Sequence, residues 1–116
     1  MLRANVSNEK TVLLVDDDEF VREDISVLLL TQGYSVLQAE NGQKGLDVLK
    51  KVAHFPCLVV LDLAMPVMDG RGFLTQRAQD PILRTIPVVV VSGIRRGQSH
   101  SKELTLIYKN PSMLIA

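Results

Sequence analysis

The chain has 116 residues and 47% apolar content, enough for one domain with a buried core. Its 13 basic and 13 acidic residues cancel, and aromatics make up only 4% with no tryptophan. That balance argues against bulk attraction to nucleic acid or an anionic membrane, and leaves few rings on which bases could stack.

Met1 to Lys10 is polar and lacks the hydrophobic segment of a signal peptide, so residues 1–10 read as a disordered tail and 11–116 as the folded domain. Thr11 to Val15 is an apolar, β-branched run bounded by acids, the pattern of a buried strand. Phe20 to Gln32 carries Val21, Ile25, Leu28 and Leu29 at helical spacing, with Gly33 as its C-terminal cap. Tyr34 to Ala39 predicts a second strand, and Asn41-Gly42 a turn. Gln43 to Ala53 sets Leu46, Leu49 and Val52 on one helical face, with Lys50 and Lys51 near its negative end. Pro56 interrupts the pattern before a third strand, Cys57 to Leu61. Gly70 to Gln79 predicts a modest helix holding Phe73, Leu74 and Ala78. Pro81 and Pro87 punctuate a linker to four consecutive valines, Val88 to Val91, the pattern of a central strand. Arg95 to Glu103 has no apolar periodicity, and Leu104 to Tyr108 reads as a fifth strand. Alternating strands and helices imply an α/β, doubly wound parallel sheet with right-handed crossovers and helices on both faces.

Acids mark the strand ends. Val12 to Val15 runs straight into Asp16-Asp17-Asp18-Glu19, and Cys57 to Leu61 runs into Asp62. Parallel strands deliver such residues to one carboxyl edge, where open α/β sheets place their sites. Gathered there, Asp16, Asp17 and Asp62 repel one another and make a hard, oxygen-lined place suited to Mg²⁺. With a metal present, one of these carboxylates becomes a candidate phosphoryl acceptor. The backbone carbonyl of Ala64, two residues past Asp62, is a further candidate ligand, and Met65-Pro66 forces extended or turn geometry beyond it. Ser92 ends the valine strand on the same rim, where a hydroxyl could bond a phosphoryl oxygen on Asp62. Lys109, just past the last strand, is the candidate cation, and it reads almost equally as a surface lysine. Asp18 and Glu19 suit the start of the first helix. Cys57 reads as a small core residue; its solitude excludes an internal disulfide and fits a cytoplasmic location. His54 and His100 lack partners at metal-ligand spacing, and Arg95-Arg96 is a short basic pair in a loop.

Three motifs, Val12-Leu13-Leu14-Val15-Asp16-Asp17-Asp18, Leu61-Asp62-Leu63-Ala64-Met65-Pro66-Val67-Met68-Asp69-Gly70 and Pro87-Val88-Val89-Val90-Val91-Ser92-Gly93, together resemble the response regulator receiver domain of two-component signalling. The resemblance covers residues 10–94. It implies a flavodoxin-like receiver fold, a five-stranded parallel sheet in order 2-1-3-4-5. It further implies Asp62 as phosphoacceptor, Asp17 as a direct Mg²⁺ ligand, Asp16 as one acting largely through water, Ala64 as a carbonyl ligand and Ser92 as a switch hydroxyl. The implied partner is a histidine kinase or phosphotransfer protein. Such a receiver catalyses its own phosphorylation and slow dephosphorylation and is not a dedicated enzyme. The small or apolar Ala64 and Ile94 offer no group to position an attacking water, which predicts slow loss of the phosphoryl group. Residues 95–116 depart from the family: Asn110 splits the expected Lys-Pro pair, Leu106 stands where an aromatic is usual, and the fourth and fifth helices are expected to be shortened or missing. The alternative is a degenerate receiver acting as a phosphorylation-independent interaction module, with a homodimer covering exposed apolar sheet.

Overall fold

The computed structural model describes residues 7–62, 68–92 and 105–109, with 7–9, 92 and 105–109 described through their backbone alone. Among the described residues five strands and three α-helices follow in the order β1 (Ser7–Val15), α1 (Glu19–Thr31), β2 (Ser35–Ala39), α2 (Gly42–Lys51), β3 (Phe55–Asp62), α3 (Gly70–Ala78), β4 (Val88–Ser92) and β5 (Thr105–Lys109). The sheet order is β2-β1-β3-β4-β5, and β1 to β4 are parallel, as the alternation of elements predicts. β1 begins at Ser7, whose backbone pairs with Phe55, so residues 7–10 belong to the sheet and not to a tail. A register irregularity between Asn8 and Val12 marks where this extension joins the regular strand.

β5 departs from the all-parallel expectation. It runs antiparallel to β4, pairing Thr105 with Ser92 and Lys109 with Val88. A parallel return needs a crossover of about a dozen residues or more, usually built around a helix, whereas an antiparallel return needs only a reversal. Residues 93–104 connect the two strands, the bare minimum for such a crossover. The expected shortening or loss of the fourth and fifth helices concerns residues 93–104 and 110–116, outside the described residues.

Local chemistry sets the helix ends. The Asp18 carboxylate accepts the N–H groups of Phe20 and Val21 at 2.9 and 3.2 Å, capping α1. At the other end Gly33 takes φ +92°, while Gly33 and Tyr34 donate N–H groups to Leu30 and Leu29. That pair of bonds is a Schellman closure, whose left-handed position favours a residue without a Cβ. Asn41 caps α2 by accepting the N–H of Lys44 at 2.8 Å, and Asp69 caps α3 by accepting that of Gly72 at 2.9 Å.

The main core lies between the sheet and the α2–α3 layer. Leu13, Val15, Val59, Leu61, Val88 and Val90 point into it and meet Leu46, Leu49 and Phe73. Val12 and Leu14, on the other side of β1, are also buried, and α1 contacts β1 and β2. α1 turns its partly buried side inward through Val21, Arg22, Ile25 and Leu29, with Ser26 buried. Leu28, expected on that face, is instead 65% exposed.

Arg77 is buried at 6% exposure on the inner side of α3, where the helical pattern pointed to Ala78, which is exposed. Its guanidinium donates to the carbonyl of Ile86 at 2.6 Å and to that of Arg84 at 2.9 Å. Burial lowers its pKa, and these carbonyls replace part of the lost hydration. The side chain thereby ties α3 to the segment that leads into β4. Arg77→Met removes these charge-assisted bonds while keeping an unbranched stem. A loss of about 1.5–3 kcal/mol is expected in urea denaturation, and an unchanged midpoint would contradict this role.

Candidate functional site

Strand register builds the rim. β1 and β3 pair Val15 with Leu61, so the next residues, Asp16 and Asp62, emerge at adjoining strand tips. Asp16 and Asp62 are each 2% exposed and Asp17 is half-buried. One carboxylate oxygen from each of Asp16, Asp17 and Asp62 lies within 4.8 Å of the other two. The sequence reading of these three residues as one cluster is therefore matched by their placement.

The loop that carries Asp16 is held on several sides. Its N–H donates to the Ala39 carbonyl at 3.1 Å. Its Oδ1 accepts the N–H of Asp18 at 2.8 Å. Its carbonyl oxygen accepts Nη1 of Arg22 at 2.8 Å. Sequence reasoning missed Arg22, whose position on α1 gives no sign that it folds back over the strand tip.

Met68, which precedes α3, meets the start of α2. Met68 has φ +46°, and its carbonyl accepts the N–H of Gly42 at 3.1 Å. A Cβ on Gly42 would overlap that carbonyl oxygen and lie 2.9 Å from Met68 Cγ. Glycine there lets the start of α2 meet the loop that follows Asp62, a close approach that the Asn41-Gly42 turn signal did not reveal. Ala64 lies outside the described residues, as does Ile94.

Ser92 and Lys109 are separated by strand direction. β3 and β4 pair Asp62 with Val91, which puts the Ser92 backbone at the acidic rim. Lys109 pairs with Val88, at the far end of β4. Four strand residues span about 13 Å. The antiparallel course of β5 therefore starts Lys109 at the opposite edge of the sheet, and the expectation that it serves the Asp62 site is not supported by this register.

The three acids offer hard oxygen donors of the kind Mg²⁺ takes. Opposite ligand oxygens around a six-coordinate Mg²⁺ are about 4.2 Å apart, so a spread of up to 4.8 Å suits a mixture of direct and water-bridged carboxylates. The residues present thus fit the cation.

A doubly wound α/β sheet with buried carboxylates at its carboxyl edge defines the class of protein: a compact module with one acidic rim. The sequence profile of the response regulator receiver domain matches residues 12–106, and the chain belongs to that family. It is 39% identical over 84 residues to the response regulator RR06 of Streptococcus pneumoniae, covering 72% of this chain and 36% of that protein. The structure of the phosphorylated cyanobacterial phytochrome response regulator RcpA is similar with a TM-score of 0.68 at 31% identity, covering 78% of this chain and 70% of that one. The Mn²⁺-bound form of response regulator Rcp1 is similar with a TM-score of 0.66 at 28% identity, covering 77% and 69%. The match spans roughly a third of the length of some curated relatives and about a tenth of others. Receiver domains of this family are signalling modules that meet sensor kinases and phosphotransfer proteins in two-component systems. Among the described residues no helix is long and apolar enough to cross a membrane.

Proposed function

We propose that the chain accepts a phosphoryl group on Asp62 from the phosphohistidine of a histidine kinase or phosphotransfer protein, in a Mg²⁺-dependent reaction. The observation that carries this reading is the convergence of Asp16, Asp17 and Asp62 at adjoining strand tips. An Asp62 carboxylate oxygen bonds to phosphorus as the P–N bond breaks. The departing imidazole takes up a proton from solvent, and the product is an acyl phosphate. Asp16 and Asp17 hold the cation, with the Ala64 carbonyl as an added ligand. Mg²⁺, when bound, supplies positive charge that offsets the phosphoryl oxygens and the clustered acids. Ser92, at the same rim, is the hydroxyl assigned to a phosphoryl oxygen. The acyl phosphate then biases an equilibrium between two surfaces of the domain. The intact acidic trio favours this reading over a contact-only module, and a cytoplasmic setting belongs to the same proposal.

The partner's docking surface follows from exposure. Phe20 is 81% exposed in the first turn of α1, beside the acidic loop, and Val27, Leu28 and Leu30 are exposed further along the helix, beyond the exposed acids Glu23 and Asp24. Exposed apolar side chains on one helix suit contact with a helix from another protein. The test is phosphoryl uptake read by intact mass, with acetyl phosphate and with a phosphorylated histidine phosphotransfer protein as donors. Uptake from both is expected only with Mg²⁺. Phe20→Asp is expected to slow transfer from the protein donor about tenfold, since losing one buried aromatic anchor costs on the order of 1–2 kcal/mol, and to leave acetyl phosphate uptake unchanged. Metal-independent uptake would overturn the functional reading, and equal slowing with both donors would overturn the docking surface.

A further inference from the structure

We infer that Arg22 is a positioning residue for the acidic site, braced against β2 by Gln38, which in turn bonds Ser26 of α1. This inference rests on the proposed cation-dependent function and assigns a role to residues outside the acidic cluster. The contacts form a continuous chain. Ser26 is buried, and its Oγ accepts Nε2 of Gln38 at 3.1 Å. Oε1 of Gln38 accepts Nε of Arg22 at 3.0 Å. Nη1 of Arg22 donates to the backbone carbonyl of Asp16 at 2.8 Å. Ala39, the neighbour of Gln38 on β2, accepts the N–H of Asp16. The tip of β2 thus holds Asp16 from two sides, directly through Ala39 and through the Arg22 side chain.

The gripped atom explains the consequence. The carbonyl of Asp16 and the N–H of Asp17 belong to one planar peptide unit. Holding the carbonyl fixes the rotation of that plane, and with it the direction in which the Asp17 side chain leaves the backbone. A rotated plane would carry the Asp17 carboxylate away from Asp16 and Asp62. Arg22 suits this task better than lysine, because its fork donates to Gln38 and to Asp16 at once. It also brings a positive charge to the loop that carries two of the three acids, opposing their mutual repulsion. Residues that orient metal ligands commonly change affinity by about 10–100-fold when lost.

The experiment uses Arg22→Met, Gln38→Leu and the double variant in the whole chain. Two readouts are taken: the Mg²⁺ dissociation constant by calorimetry, and the amide resonance of Asp17 in metal-free protein. Arg22→Met is expected to raise the dissociation constant roughly tenfold and to move the Asp17 amide. Gln38→Leu, at an exposed position outside the acidic cluster, is expected to act in the same direction. The double variant should be no weaker than Arg22→Met, since both changes break one chain of contacts. If Arg22→Met fails to fold, Gln38→Leu carries the test alone. Wild-type Mg²⁺ affinity with an unmoved Asp17 amide in the folded single variants would overturn the positioning role and leave the functional reading intact. A wild-type protein indifferent to Mg²⁺ would overturn both.

Discussion

Asp62→Asn is expected to abolish phosphoryl uptake while leaving the domain folded. The amide keeps the shape of the side chain at the tip of β3, so the pairing of β3 with β1 and β4 has no reason to change. It removes the oxygen that would bond to phosphorus, since a neutral amide is a poor nucleophile and cannot form an acyl phosphate. It also removes one of the three charges that make the cluster attractive to a divalent cation. Asp16→Asn and Asp17→Asn behave differently in this account. Each weakens cation binding and slows uptake, yet the acceptor remains, so a raised Mg²⁺ concentration should restore part of the rate. Intact-mass time courses over a Mg²⁺ series separate the cases. Uptake by Asp62→Asn equal to wild type would show that the acceptor lies elsewhere.

Phe73→Ala is expected to cost about 3–5 kcal/mol, as typical truncations of a buried aromatic do. Phe73 is fully buried and sits where α2, α3 and the sheet converge. The fit is close: a Cβ added at Gly45 would lie 3.2 Å from Phe73 Cε1 and 3.0 Å from Val15 Cγ2. Removing the ring opens a cavity that the surrounding backbone can fill only by shifting α2 against α3. A domain of this size holds about 5–15 kcal/mol in total, so the loss consumes a large share. Urea denaturation measures it directly, and a loss under about 1 kcal/mol would mean that the ring is not the centre of this layer.

Much of this was legible because the decisive residues sit at element ends. The apolar runs 12–15, 57–61 and 88–91 name their strands, and the acids that follow two of them name the rim. Asp18, Asn41 and Gly33 announce their helix boundaries by side-chain type. What stayed hidden depends on partners distant in sequence. Val27 to Leu30 is apolar throughout, so spacing alone could not tell that Leu29 is the better covered and Leu28 faces outward. Arg77 reads as a surface cation until the carbonyls of Arg84 and Ile86 are seen to meet it. Arg22 is equally silent, because its acceptors come from β2 and from the backbone of Asp16. Strand direction was invisible too: the run at 105–109 has the same apolar pattern whether it lies parallel or antiparallel to β4, and that direction decides where Lys109 begins.

The most direct measurement locates the acyl phosphate itself. Protein exposed to Mg²⁺ and acetyl phosphate is reduced with borohydride, which converts a phosphorylated aspartate to homoserine, and the altered residue is found by peptide mass mapping. The account predicts one conversion, at position 62. Conversion at another carboxylate, or none when donor and cation are both present, would contradict it.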